Sequence, residues 1–156
     1  MAASLQHELK MTRPFESVAH EAHLSIARTA ALLDHTVDEA FRDQQITATQ
    51  FNVLRILRGA GELGLCRAEI GERLIRRVPD VTRLLDRLEE ADLVVRDREG
   101  RDRRYVTTRI TAKGLALLDE IDPLVTALHT KLLGHMGAES LRQIITLLGE
   151  VREVHR

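Results

Sequence analysis

The run 76–109, RRVPDVTRLLDRLEEADLVVRDREGRDRRYVTTR, constrains this chain more than any other stretch. Its first part has a helical period: Val81, Leu84, Leu85 and Leu88 fall on one side of a helix expected over 79–91. Arg83 and Arg87 fall on the opposite side, with Pro79, Asp86 and Glu90. The second part, 93–109, reads as two strands around a tight turn at Glu99-Gly100-Arg101. Val94 and Val95 enter that turn, and Arg98, Arg101, Arg103 and Arg104 crowd around it. A helix with outward arginines beside an arginine-tipped hairpin is suited to gripping a duplex at two neighbouring grooves.

Composition narrows the alternatives. The chain has 156 residues, enough for one core, or for a small domain with dimerising arms. Its apolar content of 44% argues against disorder. Aromatic content is only 3%, with no Trp, which argues against a stacking platform for single strands. The formal net charge is −1, so nucleic-acid affinity has to come from a local pattern, and arginines concentrate between Arg67 and Arg109. Cys66 is the one cysteine, which excludes an internal disulfide and fits a reducing cytoplasm. No apolar run of signal-peptide or membrane-span length is present, so a soluble cytoplasmic protein is expected, with no membrane partner.

Along the chain, residues 1–13 read as loose. A long helix is expected from Pro14 to about Asp43, with Phe15, Val18, Ala22, Ile26, Thr29, Leu33, Val37 and Phe41 at helical spacing. Thr47 and Gln50 have capping-box spacing before a helix through Phe51, Leu54, Ile56 and Leu57 to about Gly59. Leu63-Gly64-Leu65 is a candidate edge strand. A helix over 67–75 is expected to bury Ala68, Ile70 and Leu74. After a turn at Arg76-Arg77-Val78, Pro79 suits the first helical position of the next helix and Asp80 its first turn. Two short helices around a brief turn make the helix-turn-helix plan. Thr111 caps a further helix carrying Leu115, Leu118, Ile121, Leu124, Val125, Leu128, Leu132 and Leu133, which Pro123 is expected to kink or split. A last helix, about 138–154, carries Leu141, Ile144, Ile145, Leu148 and Val151. The expected fold is therefore mainly α with a small β-hairpin wing: a winged helix-turn-helix over 44–110, flanked by dimerisation helices over 1–43 and 111–156. The terminal stripes would be partly exposed on a monomer, which points to a twofold homodimer with two reading helices on a palindromic site.

The run 46–114 resembles the MarR family of bacterial transcription regulators. The pieces that match are ITATQFNVLRIL (46–57), VTRLLDRLE (81–89), LVVR (93–96), DRR (102–104) and ITAKG (110–114), in order and at the family's spacing. The resemblance implies a triangular homodimer with interleaved terminal helices, the 79–91 helix in the major groove, and a wing along the backbone and minor groove. It also implies a small-molecule or redox signal that resets the spacing of the reading heads. In the D-x-R wing motif of the family the Asp braces the Arg; those residues are Asp102 and Arg104. Ala91-Asp92 stands where Gly is common before the wing, and the near-N-terminal cysteine of the peroxide-sensing branch is lacking.

The candidate DNA-binding residues are Arg76, Arg77, Asp80, Thr82, Arg83, Arg87, Arg101, Asp102, Arg103 and Arg104. Arg83 is placed for a paired hydrogen bond to guanine, against the plainer role of a solvated helix face near Asp86 or Arg87. Thr82 could donate to phosphate or bond its own backbone. Asp80 could accept from cytosine, but capping is the stronger expectation. Arg76 and Arg77 are phosphate candidates from the turn. Asp97, Glu99 and Asp102 nearly cancel the wing arginines, a mixture that solubility alone would also produce; the resemblance favours groove or backbone contact, Arg104 first. Cys66, at a helix start, could be a reactive thiol but is more ordinarily a small buried hydrophobe. His20 and His23 have a spacing that two ligands could share, yet a site would need others such as His129 or His135, so no metal is expected. His20, His23, Arg28 and Arg55 are candidates for an anionic effector. No phosphate loop, zinc-protease motif or nucleophile elbow occurs, no cofactor is implied, and an enzyme has no support. The reading is a DNA-binding transcription regulator, a repressor released by a small molecule; the alternative is a winged-helix protein-interaction module without DNA binding.

Overall fold

The computed structural model describes residues 4–97 and 106–154. The chain divides into two compact units, Met1–Asp43 and Gln44–Arg156.

The first unit holds α1 (Leu5–Glu8) and α2 (Val18–Ala40). Two expectations are corrected here. The segment taken as loose contains α1, capped by Ser4, and the long helix starts at Val18 instead of Pro14. The reason is the cap: Ser17 is extended, and its hydroxyl accepts from the His20 N–H at 3.1 Å, one of the donors a helix start leaves unserved. α2 buries no residue fully, and Val18 and Ile26 of its apolar set are 85% and 40% exposed.

The second unit opens with α3 (Ala48–Ala60). The expected capping box is present: Thr47 Oγ1 accepts from the Gln50 N–H at 3.2 Å, and Gln50 Oε1 accepts from the Thr47 N–H at 2.9 Å. α3 buries Phe51, Leu54 and Leu57 as expected, and Val53 as well. Gly61, at φ +64°, ends the helix, and a single 3-10 turn (Gly61–Leu63) leads into β1 (Leu65–Cys66). α4 (Arg67–Arg73) buries Ile70 and passes to the buried Leu74, whereas Ala68 is exposed, against expectation. α5 (Val81–Glu90) follows, then β2 (Val94–Asp97) and β3 (Thr107–Ile110). Among the described residues the strands form one antiparallel sheet in the order β1-β3-β2, with Leu65 opposite Thr108, and Val94 opposite Ile110. The expected turn at Glu99-Gly100-Arg101 lies outside the described residues.

α6 (Ala112–Leu133) starts at the Thr111 cap and runs through Pro123 without splitting. Pro123 and Asp119, the residue whose carbonyl loses its i+4 donor, are both exposed, so water can serve that carbonyl. α6 buries Leu118, Ile121, Val125 and Leu128 as expected, and Leu117 too, while Leu115 stays 39% exposed. α7 (Ala138–Glu153) buries none of its residues. The core of the unit is Leu54, Leu57, Ile70, Leu85, Leu88 and Leu118, all nearly inaccessible. Burial of each contributes about 1.5–3 kcal/mol.

The joint between α5 and β2 sets where the wing begins. Asp92 has φ +59°, the left-handed conformation that glycine takes most easily, so this Asp performs the turn itself. The next carbonyl, Leu93 O, lies where α6 passes closest: a Cβ on Gly114 would stand 2.4 Å from it and 2.7 Å from Ile110 Cγ1. Gly114→Ala is therefore expected to destabilise the protein by roughly 1–3 kcal/mol in a denaturant titration. Asp92→Gly should stay within about 1 kcal/mol of the wild type. The reverse order of losses would show that the close approach does not hold this joint.

Candidate nucleic-acid interface

The two helices of the reading motif are tied by side-chain bonds that their spacing alone does not show. Asn52 Oδ1, on α3, accepts from the Ile75 N–H at 3.1 Å and pins the turn after α4. Arg67, at the start of α4, donates from Nη1 to Thr82 Oγ1 at 3.2 Å, joining the first turns of α4 and α5. The Thr82 hydroxyl thus accepts a side-chain bond instead of a purely local backbone one.

Asp80 is the N-cap of α5, its Oδ1 accepting from the Arg83 N–H at 2.9 Å. Pro79 accordingly precedes the cap and is not the first helical residue, a correction that shifts the helix start by two positions. Asp outcompetes Pro because it satisfies a helix-end donor and sets a carboxylate at the positive end of the dipole. The apolar side of α5 is inward, with Leu85 and Leu88 buried, and Arg83 and Arg87 are exposed one helical turn apart. Among the described residues no ion pair engages either arginine. Arg77 is exposed, while Arg76 is half-buried and already engaged. Arg101, Asp102, Arg103 and Arg104 lie outside the described residues.

Asp86 does not pair with Arg83. It meets Arg96 of β2, at 2.5 Å from Nη2. Arg96 also donates from Nε to Glu89 Oε2 at 2.8 Å, and its Nη2 contacts the same oxygen. The Arg96 side chain is 13% exposed. Its pKa is held above the ordinary arginine value, first by the Glu89 hydrogen bond, with Asp86 adding and partial burial opposing. A second arginine braces the sheet: Arg109 donates to Asp97 Oδ2 at 2.9 Å, a diagonal cross-strand pair, and to the Glu62 carbonyl at 3.4 Å. Sequence reasoning did not place Arg67, Asn52 or Arg96 in the site. Arg96 stood inside the LVVR match, but its partners lie across a chain reversal that periodicity does not reveal.

Cys66 is the half-buried N-cap residue of α4 and not a buried hydrophobe. Its N–H donates to Glu69 Oε2 at 2.7 Å, which, with a contact from its side chain, holds the Glu69 carboxyl below the usual glutamate range. Of the effector candidates, His20, His23 and Arg28 lie on α2 and Arg55 on α3. His20 packs edge-on to Phe15 at 5.7 Å, and its Nδ1 is shielded without a hydrogen-bond partner among the described residues. The Arg55 guanidinium stands 5.9 Å from the Phe51 ring centre. Among the described residues no group of three or more His, Cys, Asp or Glu side chains is placed to hold a metal. No described helix is long and apolar enough to cross a membrane.

A capped helix pair against a three-stranded sheet, with arginines outward on the second helix, defines a winged helix-turn-helix protein. Comparison with known proteins gives its family. The model of the MarR family matches residues 46–106. A MarR transcription factor from Planctomyces limnophilus is 36% identical, over 87% of this chain and 98% of that one, with a TM-score of 0.68. A mutant MarR from E. coli complexed with operator DNA is 26% identical over 96% of this chain and 99% of that one, with a TM-score of 0.74. The HTH-type transcriptional regulator MhqR of Bacillus subtilis is 25% identical over 126 residues, 81% of this chain and 86% of that protein. The chain belongs to the MarR family and is a transcription regulator.

The Asp80 cap gives a direct test of how the reading helix is started. Asp80→Ala is expected to cost about 1 kcal/mol in chemical denaturation, and Asp80→Asn distinctly less, because Asn keeps the accepting oxygen. Equal losses would mean that the bond to the Arg83 N–H does not hold the helix end.

Proposed function

We propose that this regulator binds duplex DNA as a homodimer at a palindromic operator, with α5 in the major groove and the hairpin following the neighbouring backbone and minor groove. The observation that carries the reading is α5 itself. It is amphipathic, its apolar side is buried, and its outer side presents Arg83 and Arg87, which no ion pair engages among the described residues. The related E. coli MarR complexed with operator DNA supports it. Arg83 reads a base edge; Arg76, Arg77, Thr82 and Arg87 contact the backbone; Asp80 caps. The family resemblance supports Arg101, Arg103 and Arg104 as the second anchor, with Asp102 bracing Arg104.

Self-association is supported by apolar side chains left uncovered on the terminal helices. In α7, Ile144 is 38% exposed, Ile145 66% and Val151 47%, all toward one side of the helix, more than a soluble monomer ordinarily leaves clustered. We read the chain over 1–43 and 111–156 as the dimerising arms around a 44–110 reading domain. The protein acts in the cytoplasm as a repressor and not as an enzyme, in keeping with its regulator relatives. A small anionic effector releases it, with His20, His23 and Arg28, all on α2, as the candidate contacts; the Nδ1 of His20, without a hydrogen-bond partner among the described residues, supports His20 among them.

Anisotropy titrations on a selected operator and on random duplex, each over a range of salt, test this reading. Arg83→Ala is expected to cost about 1–3 kcal/mol on the operator and much less on random duplex. Arg104→Ala should weaken both alike and reduce the salt slope by about 1. Equal losses on both duplexes for Arg83→Ala would remove base reading from α5, and salt-insensitive binding by the wild type would remove phosphate neutralisation altogether.

A further inference from the structure

The charge of the reading helix poses a problem. Residues 80–90, DVTRLLDRLEE, carry Asp80, Asp86, Glu89 and Glu90 against Arg83 and Arg87. Four carboxylates against two guanidiniums leave an excess of negative charge on the element that approaches a polyanion. Within a Debye length of roughly 8–10 Å, an unpaired carboxylate there repels phosphate. Two devices reduce that repulsion, at Asp80 and at Asp86 and Glu89. Asp80 is turned onto the Arg83 N–H at the helix start. Asp86 and Glu89 both converge on Arg96, which reaches them from β2.

We propose that Arg96 is a positioning residue for DNA recognition: it masks the Asp86 and Glu89 carboxylates of the reading helix and fixes the first wing strand against that helix. The inference rests on the duplex binding proposed above. Arg96 does not touch DNA in this scheme. Its guanidinium is mostly shielded, at 13% exposure, so solvent and salt screen the pairs less than they would a surface ion pair. The planar fork suits two carboxylates at once, with Nε on Glu89 and Nη2 on Asp86. A lysine in its place supplies one point charge and no fork. Arg96 thereby turns Asp86 and Glu89, liabilities at a phosphate surface, into a tie that orients the first wing strand.

A merely structural cross-link would lower stability and leave the affinity of the folded protein alone; a mask changes salt-dependent affinity and is rescued by removing what it masks. The test uses the full-length protein and a mixed-sequence duplex of about 30 base pairs, followed by anisotropy at low and moderate salt. Four proteins complete a cycle: wild type, Arg96→Gln, the double variant Asp86→Asn/Glu89→Gln, and the triple combination. Arg96→Gln is expected to bind at least about 10-fold more weakly at low salt, with the deficit shrinking as salt rises. The carboxylate changes should alter wild-type affinity by less than about 3-fold but recover at least about 10-fold in the Arg96→Gln background. An equal gain in both backgrounds, or wild-type affinity in Arg96→Gln, overturns the proposal. Should Arg96→Gln fail to fold, Arg96→Lys takes its place: an intermediate loss supports the mask and wild-type affinity overturns it. Failure of the wild type to bind any duplex at low salt would instead defeat the DNA-binding reading itself.

Discussion

Three consecutive carbonyls, from Ala91 to Leu93, govern the geometry of the reading unit. The Ala91 carbonyl accepts from Lys113 Nζ at 2.8 Å, the Asp92 carbonyl from Thr111 Oγ1 at 2.7 Å, and the Leu93 carbonyl from the Thr111 N–H at 3.1 Å. The Leu93 N–H in turn donates to the Leu88 carbonyl at 2.9 Å, closing the end of α5. The chain between reading helix and wing is thus gripped by the first turn of α6. Leu93 is buried and its backbone groups demand partners, so this joint cannot open there without leaving them unserved, whereas Ala91 and Asp92 are exposed to water. These bonds join the end of α5, the start of β2 and the first turn of α6.

The second constraint is electrostatic. A regulator of nearly neutral overall charge has to concentrate its positive field where it is used, and to neutralise carboxylates that share the same element. Capping and helix-to-strand pairing do this locally, on Asp80, Asp86 and Glu89, while no ion pair among the described residues engages Arg83 and Arg87 on the outer side of α5. On the sheet, Arg109 ties Asp97 of the neighbouring strand and the Glu62 carbonyl of the preceding turn. Arginine recurs in these braces because its fork bonds two acceptors in one geometry.

Much of this was legible in the sequence where physical rules are local. The Thr47-Gln50 box, the Thr111 cap and the α5 stripe all follow from spacing within a few residues. The start of α2 was misplaced because Pro14 is permitted at a first turn, yet Ser17 offers a hydrogen bond and therefore wins. Burial of Val53 and Leu117 escaped notice because central helices bury more than one narrow stripe. Exposure of Ala68 escaped for the opposite reason: a small apolar side chain is nearly indifferent to water. Asp92 in the left-handed region was not predicted, since Gly is the usual solution and Asp a tolerated one. Arg96 and its carboxylates lie seven and ten residues apart across a reversal of the chain, a distance at which no helical or strand period reports contact.

The central claim is that one rigid unit delivers α5 into the major groove, twice, from a paired molecule. Dimethyl sulfate footprinting on a selected operator addresses it most directly, because guanine N7 lies in the major groove and adenine N3 in the minor. The account predicts protection of guanine N7 in two clusters about 10–10.5 base pairs apart, centre to centre, with any adenine N3 protection confined to the flanks where the wings lie. A single cluster, or protection of adenine N3 without guanine N7 on an operator that contains guanines in both half-sites, would contradict it.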